Sequence, residues 1–322
     1  MDLTSNNEYK QFTIAFYNLE NLFDTVNDNN TLDDDFTESS DKNWNEKRFR
    51  KKVKKLGGVI SQLGYNEIKQ PPALIGVAEV ENRLVLEELI NSKYLKKKGY
   101  NIVHFDSPDE RGIDTALLYR EEYFKVLHQE AIPLFLNNKY GERDYTRDIL
   151  YVKGHLEKEL VHVLVNHWPS RRAGTNETSQ KRIAAADKNR AIISDIILEE
   201  PNAKIIVMGD FNDDPTSKSL QKLSETDLHN PMEQLHTRYE GSLNYKGSWN
   251  LFDQILMSNN FLQQHGNSFR FQEAKIFNPV ELQENKGRYK GNPFRTYVGD
   301  KYLGGFSDHF PVYSIFSIKN NS

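Results

Sequence analysis

Clusters of Asp, Asn, Glu and His adjoin apolar runs at several places in this 322-residue sequence. In the clearest case, an apolar run at residues 205–208 is followed by Asp210 and Asn212, and Pro215 then interrupts the chain. Such a run predicts a buried strand whose polar groups emerge at the edge of a sheet. Asp and Asn also favour ordinary turns, because their side chains hydrogen-bond their own backbone. This segment alone therefore leaves both chemistry and a plain turn open.

Four further segments have the same arrangement of an apolar run beside a polar cluster. Their polar residues are Asn18 and Glu20, Glu79, Asn166 and His167, and Asp308 and His309. Because such segments are spread over most of the chain, we expect their polar groups to meet in one composite site at a shared sheet edge. Carboxylate and amide oxygens in a chain without cysteine suit a hard cation such as Mg²⁺, Mn²⁺ or Ca²⁺.

In their order and spacing, these segments resemble the endonuclease/exonuclease/phosphatase superfamily, a group that includes deoxyribonucleases, abasic-site endonucleases, inositol-polyphosphate 5-phosphatases and bacterial sphingomyelinases. The matching segments also include residues 111–119 and 252–255, and together they span residues 12–316. Strands and helices mix along the chain without strict alternation, which fits either an α+β fold or a sandwich of sheets flanked by helices. The resemblance implies the latter: an α+β, four-layer α/β/β/α sandwich, with two mixed β-sheets packed face to face, helices outside and the site at one rim.

The resemblance also implies a set of metal ligands. Glu79 is the first-choice ligand, and Asn18, Glu20 and Asp308 are expected to help hold the metal or its waters. Mg²⁺ is the expected ion, with Mn²⁺ or Ca²⁺ as alternatives. Taken alone, Glu79 could instead stabilise the N-terminus of the helix that follows it, since a helix dipole favours a carboxylate there.

Hydrolysis of a phosphate ester requires that charge on the phosphoryl oxygens be neutralised and that a water be aligned for attack. The resemblance implies that Asp210 orients or deprotonates this water, that Asn212 holds the phosphate or the nucleophile, and that His309 contacts the phosphate or acts as acid/base. Either Asp210 or His309 could be the base. Asp253 lies within an apolar run, where a carboxylate needs a partner. We expect it to orient His309, the alternative being backbone hydrogen bonds at a bend.

His167 is the second histidine of interest. Abasic-site endonucleases carry tyrosine at this place, whereas deoxyribonuclease-like and phosphodiesterase-like members carry histidine, so the chain is less similar to the abasic-site branch. Asp114 is a candidate for orienting His167. The candidates for contacting substrate phosphate are Arg111, Asp114, Arg147 and Arg171, although exposed arginines usually belong to the general surface.

Bulk properties exclude several classes of protein. The net charge of −4 argues against a generally basic protein that coats nucleic acid, although it allows a local basic patch. The absence of cysteine excludes disulfides, zinc–thiolate sites and a cysteine nucleophile. No apolar run is long enough to span a membrane. No signal peptide is visible either, so we expect a cytoplasmic monomer, or a secreted or cell-surface protein if a signal has been removed.

The chain shows no linker or composition shift, so we expect one domain over residues 11–318 after a disordered tail at residues 1–10. A helix is predicted over residues 45–63, and its basic run at residues 47–52 is interpreted as a solvated face rather than a phosphate-binding patch. A long helix is predicted over residues 180–198. Residues 278–306 form a long Gly-rich loop, and loops of this length in a compact domain are usually functional.

The sequence thus predicts a divalent-metal-dependent hydrolase that cleaves P–O bonds by direct water attack. A nuclease or phosphodiesterase acting on nucleic acid is the leading interpretation. One alternative is a phosphodiesterase or phosphatase for lipid head groups or inositol phosphates, which would share the same catalytic residues. An alternative of another class is a non-catalytic binding module on the same fold.

Overall fold

The computed structural model describes residues 8–29, 31–138, 140–172, 174–263 and 268–320. In chain order, the strands of this part are β1 (Tyr9–Leu22), β2 (Leu74–Val80), β3 (Tyr100–His104), β4 (Asp114–Arg120), β5 (Phe124–Ile132), β6 (Leu136–Asn137), β7 (Arg143–Asp144), β8 (Ile149–Leu156), β9 (Glu159–His167), β10 (Lys204–Asp210), β11 (Leu228–His229), β12 (Leu243–Tyr245), β13 (Ser248–Asn250), β14 (Asp253–Ser258), β15 (Arg270–Ile276), β16 (Tyr297–Val298), β17 (Lys301–Tyr302) and β18 (Val312–Lys319). The α-helices are α1 (Glu46–Ile60), α2 (Tyr65–Ile68), α3 (Arg83–Ile90), α4 (Thr175–Glu199) and α5 (Lys218–Ser224).

Two six-stranded sheets form the centre of the molecule. The first has the strand order β15-β18-β1-β2-β4-β3, and the second has the order β11-β14-β10-β9-β8-β5. Each sheet contains one parallel pair near its middle, β1 with β2 and β9 with β10, while the neighbouring strands pair antiparallel. Both sheets are therefore mixed, as the sequence predicted.

The central strands are buried on both faces. On β10, Ile206 and Met208 point into the core between the sheets, whereas Ile205 and Val207 pack in the cluster that contains helix α4. Successive side chains of a strand point to opposite faces of the sheet. A strand that is covered on both faces is therefore apolar at every position. The two sheets approach closely at Gly76 of β2, where an added Cβ would lie 2.6 Å from Met208 Sδ.

Helices cover the outer faces of both sheets. The apolar stripe of α1, which includes Val53, Leu56 and Ile60, packs with α3 against the first sheet. Helices α4 and α5 pack against the second sheet, and Ile193 and Leu220 belong to that cluster. The layers are thus helix, sheet, sheet and helix, which confirms the predicted four-layer sandwich.

Several boundaries differ from the sequence-based expectations. Strand β1 begins at Tyr9 and so reaches into the expected tail, of which residues 1–7 lie outside the described residues. Helix α1 ends at Ile60, and α4 begins five residues before the predicted start because its first turn is polar and therefore lacks an apolar period. In the described part of the chain, no helix combines the length and the apolar character needed to cross a membrane.

Candidate active site

The sequence-predicted residues meet at one rim of the sandwich, where β1, β2, β9 and β10 end. The register of the second sheet pairs Asp210 with His167 on one side and with Asp253 on the other. In the first sheet, Asn18 on β1 pairs with Ala78, so that Glu79 follows at the same edge. The Asn18 Nδ2 atom donates a hydrogen bond of 3.0 Å to Asp210 Oδ2 and so joins the two sheets at this rim.

Asp210 is the buried centre of the cluster. Its Oδ2 atom lies 3.7 Å from His167 Nε2 and 3.9 Å from His309 Nε2. Its Oδ1 atom accepts a 2.9 Å hydrogen bond from the Asn212 backbone N–H, which fixes the carboxylate plane. Burial raises the pKa of Asp210, and the neighbouring His309 partly opposes that rise. One carboxylate thus faces both histidines.

Asp253 and His309 form the expected pair. The His309 Nδ1 atom lies 2.6 Å from Asp253 Oδ2, and Asp253 is fully buried. Burial alone would lower the pKa of His309, but the carboxylates of Asp253 and Asp210 outweigh it and hold the pKa well above its ordinary range. The two carboxylates thus favour the protonated form of this imidazole.

His167 has the opposite electrostatic character. Burial, and then the guanidinium of Arg147, hold its pKa well below its ordinary range. Its Nε2 atom lies 3.9 Å from Glu79 Oε1, and its buried Nδ1 atom has no hydrogen-bond partner among the described residues. The pKa values of the two imidazoles on either side of Asp210 are thus shifted in opposite directions.

Glu79 and Asn18 present oxygens at the same rim. The Asn21 backbone N–H donates to Glu79 Oε2 at 2.9 Å, and none of the described residues hydrogen-bonds the second oxygen, Oε1. Asn18 Oδ1 accepts from the Glu20 backbone N–H at 2.9 Å. These contacts fix the direction of both side chains.

Glu20 and Asp308 are bridged by Arg295, a residue that the sequence interpretation did not select. Arg295 Nε lies 3.1 Å from Glu20 Oε1, and its Nη2 atom lies 2.9 Å from Asp308 Oδ2. The Thr296 backbone N–H donates to the other oxygen of Glu20 at 2.6 Å. Burial, and then the charge of Asp308, raise the pKa of Glu20. Both predicted ligands thus already have a cationic partner.

The donor chemistry of this side of the rim fits a hard divalent cation. Glu79 offers an oxygen that makes no hydrogen bond within the described chain, and Asn18 and Asp308 carry an amide and a carboxylate oxygen at the same rim. Because both oxygens of Glu20 are engaged, it fits a role that supports the ligands better than direct ligation. Oxygen donors of this kind suit Mg²⁺ or Mn²⁺.

A different group, Asp210, Asp253 and His309, brings its potential ligand atoms within 4.8 Å of one another. The 2.6 Å contact between His309 Nδ1 and Asp253 is a hydrogen bond, however, and it occupies the ring nitrogen that faces Asp253. Asp253 thus occupies Nδ1, and Nε2 is the ring nitrogen of His309 that faces Asp210.

Lys52 corrects the interpretation of residues 47–52 as a fully solvated helix face. Its side chain points inward from α1, is 2% exposed and donates to the backbone carbonyl of Glu20. Burial lowers its pKa, although the carboxylate of Glu20 opposes this effect. The apolar period of α1 predicts which face is buried, but it does not show that a lysine on this face reaches the acidic rim.

Several site residues have left-handed backbone conformations, which are unusual for residues other than glycine. The φ angles are 50° at Glu20, 51° at Asn21, 60° at Glu79 and 50° at Asn212. Such conformations cost free energy and cluster at functional sites, where the surrounding contacts enforce them. At Asn212 the enforcing contact is a 3.0 Å hydrogen bond from Nδ2 to the Trp168 carbonyl.

Asp114 does not lie where the sequence interpretation placed it. Its Oδ2 atom is 3.1 Å from His104 Nε2, and its Oδ1 atom accepts from the Ser107 backbone N–H. The carboxylate therefore orients His104 rather than His167, because β3 and β4 are neighbours in the first sheet whereas His167 lies in the second. With both oxygens engaged and a negative charge, Asp114 does not suit phosphate binding.

The three candidate arginines differ in what they contact. Arg147 is buried and donates to the carbonyls of His167 and Trp168 and to Asp109, so it braces the end of β9 and has no exposed face for phosphate.

Arg171 donates to the Asn212 carbonyl and to Asp213, and thus supports the turn after β10. Arg111 is partly exposed, and its weak ion pair with Asp109 is 3.5 Å long. Among the arginines predicted from the sequence, Arg111 therefore stays a candidate for phosphate contact.

Comparison with known proteins agrees with this geometry. The family model described as the endonuclease/exonuclease/phosphatase family matches residues 13–318. No curated protein matches the chain.

Among solved structures, an endonuclease/exonuclease/phosphatase family protein from Bacteroides thetaiotaomicron is 18% identical, with 97% of this chain and 96% of the other covered and a TM-score of 0.57. TDP2 of D. rerio complexed with single strand DNA product is 17% identical, with 95% and 98% covered and a TM-score of 0.53. A mannosyl-6-phosphatase of B. thetaiotaomicron is 18% identical, with 94% and 98% covered and a TM-score of 0.54. The TM-scores show a shared fold. The match to the family model shows that the chain belongs to the endonuclease/exonuclease/phosphatase family.

Proposed function

We propose that this protein is a divalent-metal-dependent hydrolase that cleaves phosphate esters by direct attack of water, and that it acts on nucleic acid as a nuclease or phosphodiesterase. The observation that carries this proposal is the convergence on Asp210, whose Oδ2 atom lies within 4 Å of both His167 and His309 and bonds Asn18. A buried carboxylate between two imidazoles suits proton transfer at a reacting centre.

In this proposal, Glu79 and Asn18 hold the metal ion, and Asp308 completes the site. The ion, when bound, supplies charge neutralisation for a phosphoryl oxygen. Arg295 and Lys52 offset part of the negative charge of Glu20 and Asp308, so that the carboxylates can stay close together without the ion.

Asp210 is assigned as the base that accepts the proton of the attacking water. It accepts hydrogen bonds at both oxygens, from Asn18 and from the Asn212 backbone, which orients its lone pairs. His309 is assigned as the donor to a phosphoryl oxygen, because Asp253 engages Nδ1 and leaves Nε2 directed towards the rim. The raised pKa of His309 supports the donor role over the base role.

Neutral His167 is assigned as a second hydrogen-bond donor to the substrate phosphate. Its lowered pKa keeps the ring neutral, and a neutral ring can donate from only one nitrogen at a time. Asn212 is assigned to hold the attacking water, which can donate to Oδ1, or the phosphate, which can accept from one N–H of Nδ2. The other N–H of Nδ2 bonds the Trp168 carbonyl.

A nucleic-acid substrate is favoured by the likeness to TDP2 complexed with a single-strand DNA product. The likeness to a mannosyl-6-phosphatase favours a second candidate, a phosphatase for a small phosphate ester such as a sugar phosphate. Both candidates would use the same residues around Asp210, and they differ in the groups outside the scissile phosphate.

A substrate panel tests the proposal. The wild-type chain with Mg²⁺ or Mn²⁺ is assayed on single-stranded DNA, plasmid DNA, RNA, sphingomyelin, inositol phosphates and mannose 6-phosphate. We expect cleavage of a nucleic acid, abolished in His309→Ala and retained in His128→Ala, a histidine that lies exposed on β5. Cleavage of mannose 6-phosphate alone would favour the phosphatase, and the absence of any metal-dependent hydrolysis would refute the proposal.

A further inference from the structure

Three cations form a row along one face of helix α1. Arg48, Lys51 and Lys55 are spaced by three and four residues and therefore share one face of the helix. Each lies over an aromatic ring of the segment from β17 to β18. The Arg48 guanidinium carbon is 4.3 Å and Lys51 Nζ is 5.7 Å from the centroid of Tyr302, and Lys55 Nζ is 4.4 Å from that of Phe306.

These cations lack acidic partners. Within the described chain, no carboxylate oxygen lies within 4.0 Å of a side-chain nitrogen of Arg48, Lys51 or Lys55. Burial, and then the neighbouring Lys51, lower the pKa of Lys55, as expected where positive charges gather without an anion. Arg50, on the opposite face of α1, contrasts with them because it pairs with Glu46 and Glu88. Arg48, Lys51 and Lys55 thus share a face on which no ion pair compensates their charge, whereas the charge of Arg50 is compensated.

The row leads into the active-site rim. Lys52, between Lys51 and Lys55 in sequence, donates to the Glu20 carbonyl, and Lys55 Nζ donates to the Gly304 carbonyl, four residues before Asp308. At the rim itself, the Arg295 side chain is 41% exposed, and its Nε and Nη2 atoms are held by two carboxylates. A guanidinium fixed in this way is oriented before any ligand arrives, which lowers the entropic cost of binding an anion.

We propose that this cation row, consisting of Arg48, Lys51 and Lys55, binds the phosphate backbone of single-stranded nucleic acid on one side of the scissile phosphate, and that Arg295 contacts the same strand at the rim. The proposal rests on the proposed function and extends it, because it assigns the strand a direction of approach along α1.

The geometry favours one strand over a duplex or a small phosphate ester. The helical rise places Arg48 and Lys55 about 10 Å apart along the axis of α1, which is long enough for more than one phosphate. The cations form a single line, whereas the two phosphate backbones of a duplex flank a groove about 12 Å wide. A sugar phosphate has no further phosphate that could reach Lys51. Contacts to the backbone carry affinity without sequence preference.

Salt dependence of binding tests the row. All chains carry His309→Ala to prevent cleavage, and binding of a fluorescent 12-nucleotide single strand is measured by anisotropy between about 50 and 200 mM NaCl. We expect Lys51→Ala to raise Kd about fivefold at the lowest salt. We also expect it to reduce the slope of log K against log salt by about 0.7, the value for one lost contact to a single strand. Lys51→Arg should restore both quantities.

Arg50→Ala is the matched control, since it removes one positive charge from the opposite face of the same helix. Its Kd should change less than about twofold, because the charge of Arg50 is already paired with Glu46 and Glu88. Equal effects of Lys51→Ala and Arg50→Ala would overturn the row, because they would indicate a general charge effect. If Lys51→Ala weakened binding to phosphatidylserine vesicles but not to the oligonucleotide, the proposal would also be overturned, because the row would then contact a membrane. Cleavage by the wild-type chain reports separately on the proposed function: tight, salt-dependent binding without hydrolysis would support the row and refute the hydrolase.

Discussion

His309 Nδ1 lies 2.6 Å from Asp253 Oδ2, and this contact joins the segment that leads into β18 of the first sheet to the beginning of β14 in the second. Asp253 is fully buried, so its charge needs the imidazole as a partner. The contact also directs His309 Nε2 towards Asp210, at 3.9 Å. One hydrogen bond therefore serves both the packing of the two sheets and the orientation of a proposed catalytic group.

We expect Asp253→Asn to reduce kcat about 100-fold or more, because the imidazole loses the acceptor that fixes its tautomer and supports its charge. Combining Asp253→Asn with His309→Ala should add little further loss, since residues that act as one unit are not additive. Steady-state kinetics of the two single variants and the double variant measure this. Independent, additive losses would contradict the pairing of the two residues.

Asp210→Asn should also reduce kcat about 100-fold or more, because the amide accepts no proton. Its melting temperature should fall only modestly, since the amide oxygen keeps one of the two hydrogen bonds that Asp210 accepts. Asp213 provides a matched carboxylate with a structural environment, since it bonds Arg171 and Ser219 and pairs with buried Arg182. Asp213→Asn should lower the melting temperature clearly. Calorimetry and kinetics on both variants make the comparison, and unfolding of Asp210→Asn would identify Asp210 as a structural residue instead.

Chelation of divalent cations should abolish activity, and Mg²⁺ or Mn²⁺ should restore it, because the rim presents oxygen donors and the chain has no thiolate. Glu79→Gln should weaken binding of Mn²⁺ by about tenfold or more, since it removes the carboxylate oxygen that no described residue hydrogen-bonds. Titration calorimetry measures binding without reference to turnover. Full activity in excess chelator would contradict the metal-dependent reading.

Arg295→Ala should lower the free energy of unfolding by about 1–3 kcal/mol, because buried Glu20 and partly buried Asp308 lose their cation. This range lies below that of a fully buried ion pair, because solvent screens the partly exposed Arg295. Mg²⁺ should then raise the melting temperature of this variant more than that of the wild type, because the ion takes over the compensating charge. Arg190→Ala is the control, since Arg190 also contacts two carboxylates, Asp187 and Glu225, outside the rim. An equal Mg²⁺ response in all three proteins would contradict the bridging role.

A pH-dependent contribution to stability is expected at Glu67, remote from the rim. Its partners Lys275 and Tyr313 outweigh burial and hold the pKa of Glu67 below its ordinary value of 4.5. A depressed carboxylate pKa stabilises the fold above the unfolded-state pKa, and this stability is lost as the pH falls through the folded-state pKa. Glu67→Gln should therefore cost up to about 1 kcal/mol near pH 7 and progressively less below pH 4.5. Urea unfolding at both pH values tests this, and a pH-independent difference would contradict it.

The sequence by itself determined the buried central strands, the family and the order of the polar clusters, whereas the partly exposed edge strands β5 and β15 lack an apolar run that would reveal them. Buried strands such as β10 are apolar along their whole length because both faces are covered, and the polar residues that follow them therefore mark the rim. Asp210, Asn212 and Glu79 could be found in this way, because in each case the signal and the side chain lie on the same segment. The apolar strand around Asp253 indicated that this carboxylate needs a partner, and the family resemblance indicated that the partner is His309.

Only the tertiary structure decided which side chains from distant segments meet. Asp114 bonds His104 because β3 and β4 are adjacent in one sheet, and no spacing in the sequence reveals this partner. Arg295 reaches Glu20 across more than 270 residues of chain, and Lys52 turns inward on a helix whose composition suggests a solvated face. Local patterns specify which face of an element is buried, whereas the partners of a charge depend on how the elements pack in three dimensions.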